Sequence, residues 1–183
     1  MIDLKDIVAR LAVRFSEERL RFALIGGLAL HAAGHSRSTG DVDFLIHADD
    51  AAKAKGIVFA LGYKVIHESD DVLQMASPLG LIGGVDFLKA RRHYSLAMLD
   101  RAKSFVLDGQ ITVPAVSVED LIGLKLQAMN NDPARTAQDK SDIEWLLKRH
   151  AGALDMALLR EYFGLFSLSL ELDQMLLRIK DAK

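Results

Sequence analysis

The sequence predicts an α+β fold, in which a mixed β-sheet flanked by helices is followed by a C-terminal helical region. The hydrophobic pattern supports this class, because it is helical at the N-terminus, breaks into short strand-like runs between residues 63 and 113, and is helical again from about residue 115. The length of 183 residues suits one domain with a helical appendage. Half of the residues are hydrophobic and 26% are charged, which is ordinary for a globular chain.

Helices and strands alternate in the first third of the chain. The predicted elements are a helix over residues 1–17, a strand over 22–25, a short helix over 28–32, a strand over 41–46 and a helix from about 50 to 61. Gly34 and Gly62 follow the second and third helices, where glycine favours a left-handed cap. Asp49 and Asp50 precede the third helix and are expected to cap its N-terminus.

Short strands occupy the middle of the chain and helices occupy its end. Strands are predicted over residues 63–66, 72–75, 81–88, 105–107 and 110–113, and helices over 117–128, 134–148, 154–162 and 170–180. Asp108 and Gly109 indicate a hairpin turn, and Ser117 with Asp120 resembles a capping box. We therefore expect a core at residues 1–114 and a helical region at residues 115–183 packed on that core.

Composition and charge exclude several classes of function. The chain has no cysteine, which excludes disulfide frameworks, thiolate zinc sites and a cysteine nucleophile. The 23 Lys and Arg residues and 25 Asp and Glu residues give a formal net charge of −2, so no basic excess attracts the whole surface to nucleic acid. The N-terminal segment is acidic where a signal peptide is basic, and the longest weakly polar stretch is too short to span a membrane. We expect a cytoplasmic protein with no membrane segment.

Three aspartates are the main candidates for chemistry. Asp41 and Asp43 are two residues apart on a predicted strand, so both side chains leave the same face. Two adjacent carboxylates repel each other unless a cation lies between them, and such oxygen ligands suit Mg²⁺. An Asp-x-Asp pair on its own is usually a solvated strand end. Here Asp86 adds a third acid, flanked by apolar residues on a later predicted strand.

A glycine turn precedes these acids. Gly26 and Gly27 lie between a predicted strand and a predicted helix. Backbone N–H groups at the start of a helix can bind phosphate, and glycine lets the main chain come close to it. The turn and the three acids together therefore indicate a site for a phosphate-containing substrate.

The ordered set of Gly26-Gly27, Asp41-Val-Asp43 and Asp86 resembles the nucleotidyltransferase superfamily of the DNA polymerase beta type. The signature of that superfamily is an apolar strand, a Gly-Gly or Gly-Ser turn, an Asp-x-Asp pair and a third carboxylate on a later strand. The resemblance implies a nucleotidyltransferase fold for the core.

A longer segment is similar to one group within that superfamily. Arg37-Ser-Thr39-Gly-Asp41-Val-Asp43 resembles the Arg-x-Thr-x-Asp-x-Asp form of the abortive-infection type nucleotidyltransferases of toxin–antitoxin systems. That group also carries a Lys, an Arg and paired acids in a later helical region. The residues here that resemble this later motif are Lys125, Arg135, Asp139 and Asp142.

The resemblance implies a Mg²⁺-dependent transfer of a nucleoside monophosphate from an NTP, such as ATP, to an acceptor hydroxyl. It assigns Asp41 and Asp43 to Mg²⁺, and Asp86 both to the metal and to the proton of the acceptor hydroxyl. The residues that it assigns to the nucleotide are Gly26, Gly27, Arg37, Thr39, Lys125 and Asp139. Asp139 is alternatively a partner of Lys125 or a plain surface acid, and Asp142 is expected to cap or to pair with Arg135 or Lys148.

The acceptor and the partners are left open by the sequence. The acceptor is tRNA or another RNA, a protein side chain, or a small molecule such as an aminoglycoside. The run Lys89, Arg91, Arg92 and His93 could hold acceptor phosphates, although charged runs are usually solvated. The apolar stripe of Leu170, Met175, Leu176 and Ile179 is predicted to lie in the core, with a homodimer or a cognate partner protein as the alternative.

Two other classes of protein compete with an active transferase. One is a catalytically inactive protein with the nucleotidyltransferase fold that senses a nucleotide or binds a partner. The other is a plain interaction protein held by its helical region. Retention of three mutually repelling acids favours the enzyme, because an inactive site has no need for them.

Overall fold

A computed structural model describes residues 4–35, 38–77, 83–107 and 109–181. The chain divides into two compact units, Met1–Ser117 and Val118–Lys183. In the described residues the first unit holds all the strands, and the second consists of helices and their connections.

Seven strands form one mixed sheet in the described part of the first unit. They are β1 Phe22–Leu24, β2 Val42–His47, β3 Lys64–Glu68, β4 Val72–Ala76, β5 Val85–Ala90, β6 Lys103–Leu107 and β7 Ile111–Ala115. Their order across the sheet is β3-β4-β5-β2-β1-β7-β6. Strand β1 is antiparallel to β2 and parallel to β7, while β2 is parallel to β5. This sheet and its helices confirm the predicted α+β class.

Helices α1 Leu4–Glu17, α2 Gly26–Ala32, α3 Ala51–Ala60 and α4 His93–Arg101 accompany the sheet. The predicted amphipathic pattern of α1 is present, since its apolar residues are buried at helical spacing. The ring of Phe15 meets the rings of Phe22 and Phe44 edge-on, with centroids 5.1 and 5.5 Å apart. Helix α1 therefore packs on the central strands β1 and β2.

Some boundaries in the first unit differ from the prediction. Helix α4 was not predicted, because only Met98 of its nine residues is buried and its apolar period is weak. The predicted strand over 81–88 is described from Val85 onwards, since residues 81 and 82 lie outside the described residues. Asp108 of the predicted hairpin turn also lies outside them.

The prediction that Asp50 caps α3 is wrong. A short 3₁₀ turn, Ala48–Asp50, precedes the helix, and the Asp50 side chain makes no capping hydrogen bond. The Asp50 carboxylate instead accepts hydrogen bonds from the backbone N–H and the Nε of Arg21, at 3.0 and 2.9 Å. A charged donor outweighs a backbone amide as a partner for a carboxylate, which explains the difference.

The second unit contains helices α5 Val118–Asn131, α6 Thr136–Arg149, α7 Met156–Leu165 and α8 Ser169–Asp181. In α8, Leu172 and Met175 are buried, whereas Leu170 is 79% exposed. The prediction that Leu170 lies in the core is wrong, because the helical turn places it about 140° around the axis from Met175. None of the described helices in either unit is long and apolar enough to cross a membrane.

Candidate active site

Strand register brings Asp43 and Asp86 together. Asp43 on β2 lies directly opposite Asp86 on β5 in a parallel pairing. Side chains alternate along a strand, so residues paired in register share one face of the sheet. The neighbours Val42 and Phe44 are fully buried on the other face, which is the face covered by α1. The two carboxylates are therefore side by side on the face opposite this aromatic core.

Asp41 is held beside this pair by the segment that leads into β5. The Gly84 N–H donates a 2.7 Å hydrogen bond to Asp41 Oδ1, and the Val42 N–H donates to the Gly84 carbonyl at 3.0 Å. Burial raises the pKa of the Asp86 carboxyl, and the charge of Asp41 raises it further, against a hydrogen bond from Gln74. The structure thus brings all three predicted acids into one cluster.

The glycine turn packs against the acidic cluster. Gly26 has a φ of +61°, and a Cβ atom at this position would lie 2.1 Å from Asp43 Oδ2. A Cβ atom at Gly27 would lie 2.6 Å from the Cβ of Thr39, whose hydroxyl donates to the carbonyl of Asp41 at 3.1 Å. Both positions therefore need glycine for a close approach. Arg37, predicted to bind the nucleotide here, lies outside the described residues.

A second pair of glycines lets two main-chain segments touch. A Cβ atom at Gly83 would lie 1.4 Å from the carbonyl oxygen of Gly40, and one at Gly84 would lie 3.2 Å from Asp41 Oδ1. The segment before β5 is therefore in direct contact with the segment before β2. This contact positions the Gly84 N–H against Asp41, a role that the sequence analysis did not assign to it.

Gln74 is a further residue of the site that the sequence analysis did not name. Its Nε2 donates a 3.0 Å hydrogen bond to Asp86 Oδ2, and the two residues are paired directly between β4 and β5. The neighbours Leu73 and Met75 are fully buried, so alternation indicates that Gln74 faces the acids. Its partner depends on strand register, which the spacing along one sequence does not give.

Lys125 and Asp139 belong to a buried ionic network in the second unit. Lys125 Nζ donates to Asp139 Oδ1 at 2.9 Å and to Asp142 Oδ2 at 2.6 Å, and these residues are only 6%, 0% and 0% exposed. Arg135 donates to Asp139 and Gln138 donates to Asp142, each at 3.2 Å. Asp139 is thus a buried partner of Lys125 and not a surface acid, which confirms one of the alternatives given for it. Nucleotide binding by this pair stays a prediction.

The basic run after Asp86 holds a turn in place. Lys89 is 8% exposed and donates to Glu68 and to a main-chain oxygen of residues 69–71. Arg91 Nε donates to the carbonyl oxygen of Asp70 in this turn. The guanidinium of Arg92 lies 3.7 Å from the carboxylate of Asp71, the last residue of the turn. These contacts tie the end of β5 to the turn between β3 and β4 and do not support the predicted acceptor-phosphate site.

The sequence resemblance implies a magnesium ion beside Asp41, Asp43 and Asp86. Among the described residues, no three His, Cys, Asp or Glu side chains are grouped so that they alone could hold a metal ion. Magnesium in nucleotide sites, however, is held by one or two carboxylates together with substrate phosphates and water. Convergent carboxylates with a raised pKa, as at Asp86, are stabilised by a cation. Asp41, Asp43 and Asp86 thus offer oxygen ligands of the kind that Mg²⁺ takes, but in the described residues they do not form a metal site by themselves.

A model of one protein family matches the chain. The family is described as "Nucleotidyl transferase AbiEii toxin, Type IV TA system", and the match covers residues 84–181. No curated protein sequence matches the chain. The matched region begins just before β5 and includes Asp86, Lys125 and Asp139.

Solved structures share the fold over most of the chain. The solution structure of the antibiotic-resistance factor ANT(2'')-Ia has a TM-score of 0.68 and 18% identity, covering 94% of this chain and 98% of that one. The lincomycin-bound lincosamide antibiotic adenylyltransferase LnuA has a TM-score of 0.55 and 18% identity, covering 73% and 90%. An antigenic nucleotidyltransferase-like protein from Paracoccidioides brasiliensis has a TM-score of 0.57 and 20% identity, covering 95% and 92%. These likenesses confirm the predicted nucleotidyltransferase fold.

Proposed function

The chain belongs to the family of AbiEii nucleotidyl transferase toxins, and from this premise we propose that it transfers a nucleoside monophosphate from an NTP to an acceptor hydroxyl. The observation that carries the proposal is the convergence of Asp41, Asp43 and Asp86 beside the turn at Gly26. Carboxylates that repel each other are costly to hold together, and perturbed acids concentrate where chemistry takes place. A cation bound between the carboxylates would remove that repulsion and could hold the phosphates of a substrate beside them.

Asp41 and Asp43 are the residues that we assign first to Mg²⁺, with Asp86 completing the set. Asp41 is oriented for this by the Gly84 N–H, and Asp43 by its packing against Gly26. When bound, the ion would orient the triphosphate and neutralise charge on the attacking and leaving oxygens. These residues thus supply the fixed negative charge that a cationic ligand needs.

Asp86 is the residue that we assign to the acceptor proton. Burial raises the pKa of its carboxyl, which makes the carboxylate a stronger base than an exposed aspartate. As Asp86 takes the proton, the acceptor oxygen forms a bond to the α-phosphorus of the NTP. The bond from that phosphorus to the oxygen bridging to the β-phosphorus breaks, and pyrophosphate leaves with the electron pair. The proton then passes from Asp86 to solvent.

The remaining phosphate contacts are assigned around the glycine turn. We assign phosphate binding to the backbone of Gly26 and Gly27 and to the hydroxyl of Thr39, because these groups lie against the acids. The sequence resemblance alone implies nucleotide contacts for Arg37, Lys125 and Asp139.

The acceptor and the partner complete the proposal. Family membership favours a toxin that acts with a cognate antitoxin, and we propose the cytoplasm, where NTPs are available, as its compartment. One structural neighbour is an antibiotic adenylyltransferase with lincomycin bound. The acceptor classes to be compared are therefore RNA including tRNA, proteins, and small hydroxyl compounds such as lincosamides and aminoglycosides.

Transfer of a labelled nucleotide tests the proposal. The protein is incubated with Mg²⁺ and each NTP labelled at the α-phosphate, together with total RNA, cell protein or a panel of small hydroxyl acceptors. We expect the wild type to label one of these classes, and Asp86→Asn to reduce the rate by roughly 10² or more while still binding NTP.

The matched control is Asp100→Asn, which changes an exposed aspartate of α4 and should leave transfer unchanged. Transfer by Asp86→Asn at the wild-type rate would contradict the catalytic role of Asp86. If the wild type binds NTP but labels no acceptor, the protein is a nucleotide sensor and not a transferase.

A further inference from the structure

The side-chain amide of Gln74 makes a contact that the proposed reaction does not yet use. Gln74 Nε2 donates a 3.0 Å hydrogen bond to Asp86 Oδ2, within the direct antiparallel pairing of β4 and β5. The strand neighbours Leu73 and Met75 are fully buried. Alternation along β4 therefore directs Gln74 to the face that carries the acids.

The charge of the surroundings explains why an amide suits this position. Asp86 lies beside Asp43 across the sheet, and the charge of Asp41 acts on it. A Lys or Arg at position 74 would neutralise part of the negative cluster and compete with a bound cation. A Glu would add a fourth repelling carboxylate. Glutamine donates a hydrogen bond without changing the charge.

The hydrogen bond has a geometric consequence for Asp86. A donor at one carboxylate oxygen restricts rotation of the group, so the second oxygen keeps a fixed direction. Asp41 is held in the same manner, by the uncharged N–H of Gly84 at one oxygen. Asp41 and Asp86 thus each have one oxygen held by a neutral donor.

We propose that Gln74 is a positioning residue that acts through Asp86, holding the carboxylate in the orientation in which it takes the acceptor proton. The inference rests on the proposed function, because it assigns a role within the same reaction. This role predicts that the effect of Gln74 on turnover requires the carboxylate of Asp86.

The variant that tests this role is Gln74→Met, which keeps the length of the side chain and removes the donor. We expect kcat for nucleotide transfer to fall about tenfold and KM for the NTP to change less than about twofold, because orientation of a base affects the chemical step. The side chain of Gln74→Asn is too short by one methylene to make the same contact, so this variant should show the same change in kcat and KM. It replaces Gln74→Met in the experiment if the methionine variant is unstable. Val72→Thr, on the same strand and face, is the matched control and should retain wild-type kcat.

A double-mutant cycle separates positioning from a general structural role. In an Asp86→Asn background, Gln74→Met should change kcat less than about twofold, because the group through which it acts is gone. In the free protein, the side-chain amide signal of Gln74 in ¹H–¹⁵N NMR spectra should move in Asp86→Asn and stay in place in Asp100→Asn. This second measurement needs no enzymatic activity.

The outcomes distinguish this inference from the proposed function. An active wild type with Gln74→Met and Gln74→Asn at wild-type kcat overturns the positioning role and leaves the proposed function standing. A tenfold loss that persists in the Asp86→Asn background also overturns it, because Gln74 would then act elsewhere. A wild type without any transfer overturns both.

Discussion

At the scale of single residues, Gly26 decides how closely the glycine turn approaches Asp43. Gly26→Ala places a methyl group against the Asp43 carboxylate at a φ of +61°, so it should destabilise the fold by about 2–4 kcal/mol and reduce transfer about tenfold or more. Denaturant titration and the transfer assay measure the two effects. Gly62→Ala is the control, because its φ is +90° with no atom within 4 Å of the added Cβ. Gly62→Ala should lower the free energy of unfolding by only about 1–2 kcal/mol and leave nucleotide transfer unchanged. Equal losses in the two variants would contradict the close approach of Gly26 to Asp43.

Asp86 is proposed to favour nucleotide transfer, but its ionised carboxylate should lower the stability of the fold at neutral pH. Because its pKa is raised in the folded state, the folded chain binds this proton more tightly than the unfolded chain does. The stability that comes from the bound proton is therefore present at acidic pH and lost as the pH rises through the raised pKa. Asp86→Asn should then raise the melting temperature at neutral pH, and the gain should shrink as the pH falls towards the ordinary pKa of aspartate.

Asp50 provides a comparison of opposite sign for these melting curves. Burial raises the pKa of Asp50, but the hydrogen bonds and charge of Arg21 together lower it below the usual value. Its stabilising contribution is present above the ordinary pKa and is lost as the pH falls. Asp50→Asn should therefore lower the melting temperature at neutral pH. The same sign of change in both variants would show that these local charges do not control the pH dependence.

The residues of the candidate site differ in how clearly the sequence pattern points to them. Asp41, Asp43 and Asp86 were predictable because acids among apolar strand residues stand out, and the glycine turn because it joins a strand to a helix. Gly84 and Gln74 were not, since each acts through a partner set by strand pairing across the sheet. Register comes from tertiary packing and turn geometry, which the spacing of residues along one sequence does not record.

At the scale of elements, prediction depended on how strongly each segment is buried. Strand β2 has a run of fully buried residues, and its pattern was evident from the sequence. Helix α4 buries only Met98 and is not evident from the sequence, and the apolar pattern places Leu170 in the core although it lies on the outer side of α8. A short, half-exposed helix has too weak a period to be recognised, and an apolar residue need not be buried.

The ionic network of Lys125, Asp139 and Asp142 between α5 and α6 should stabilise the second unit. Lys125→Met leaves the buried carboxylates of Asp139 and Asp142 without their shared cation, so it should destabilise the fold by about 3–5 kcal/mol. Arg178→Met is the control, because it removes an ion pair with Glu144 that is exposed on both sides. It should cost less than about 1 kcal/mol. Urea titration followed by circular dichroism measures both, and a small loss for Lys125→Met would contradict a structural role for the network.

At the scale of the whole molecule, ligand binding should appear as a change in melting temperature. A non-hydrolysable NTP analogue with Mg²⁺, at about 100 times its Kd, contributes about 2.7 kcal/mol to the folded state. For a chain of this size we expect a rise of roughly 5–10 °C in the wild type. The Asp41→Ala, Asp43→Ala double variant should show little rise under the same conditions. Equal shifts in the two proteins would place the nucleotide elsewhere.

The position of β1 in the sheet has a consequence for synthesis of the chain. Strand β1 comes early in the sequence, yet on one side it pairs with β7, where Leu24 lies opposite Ala115. While a ribosome has released only the residues before β7, β1 keeps an unpaired edge of N–H and C=O groups in the middle of the future sheet. At that stage Asp41, Asp43 and Asp86 have all been synthesised. The glycine turn, however, follows a strand that is still unpaired on one side. We therefore expect the glycine turn of the proposed site to gain its full support only after β7 has emerged from the ribosome.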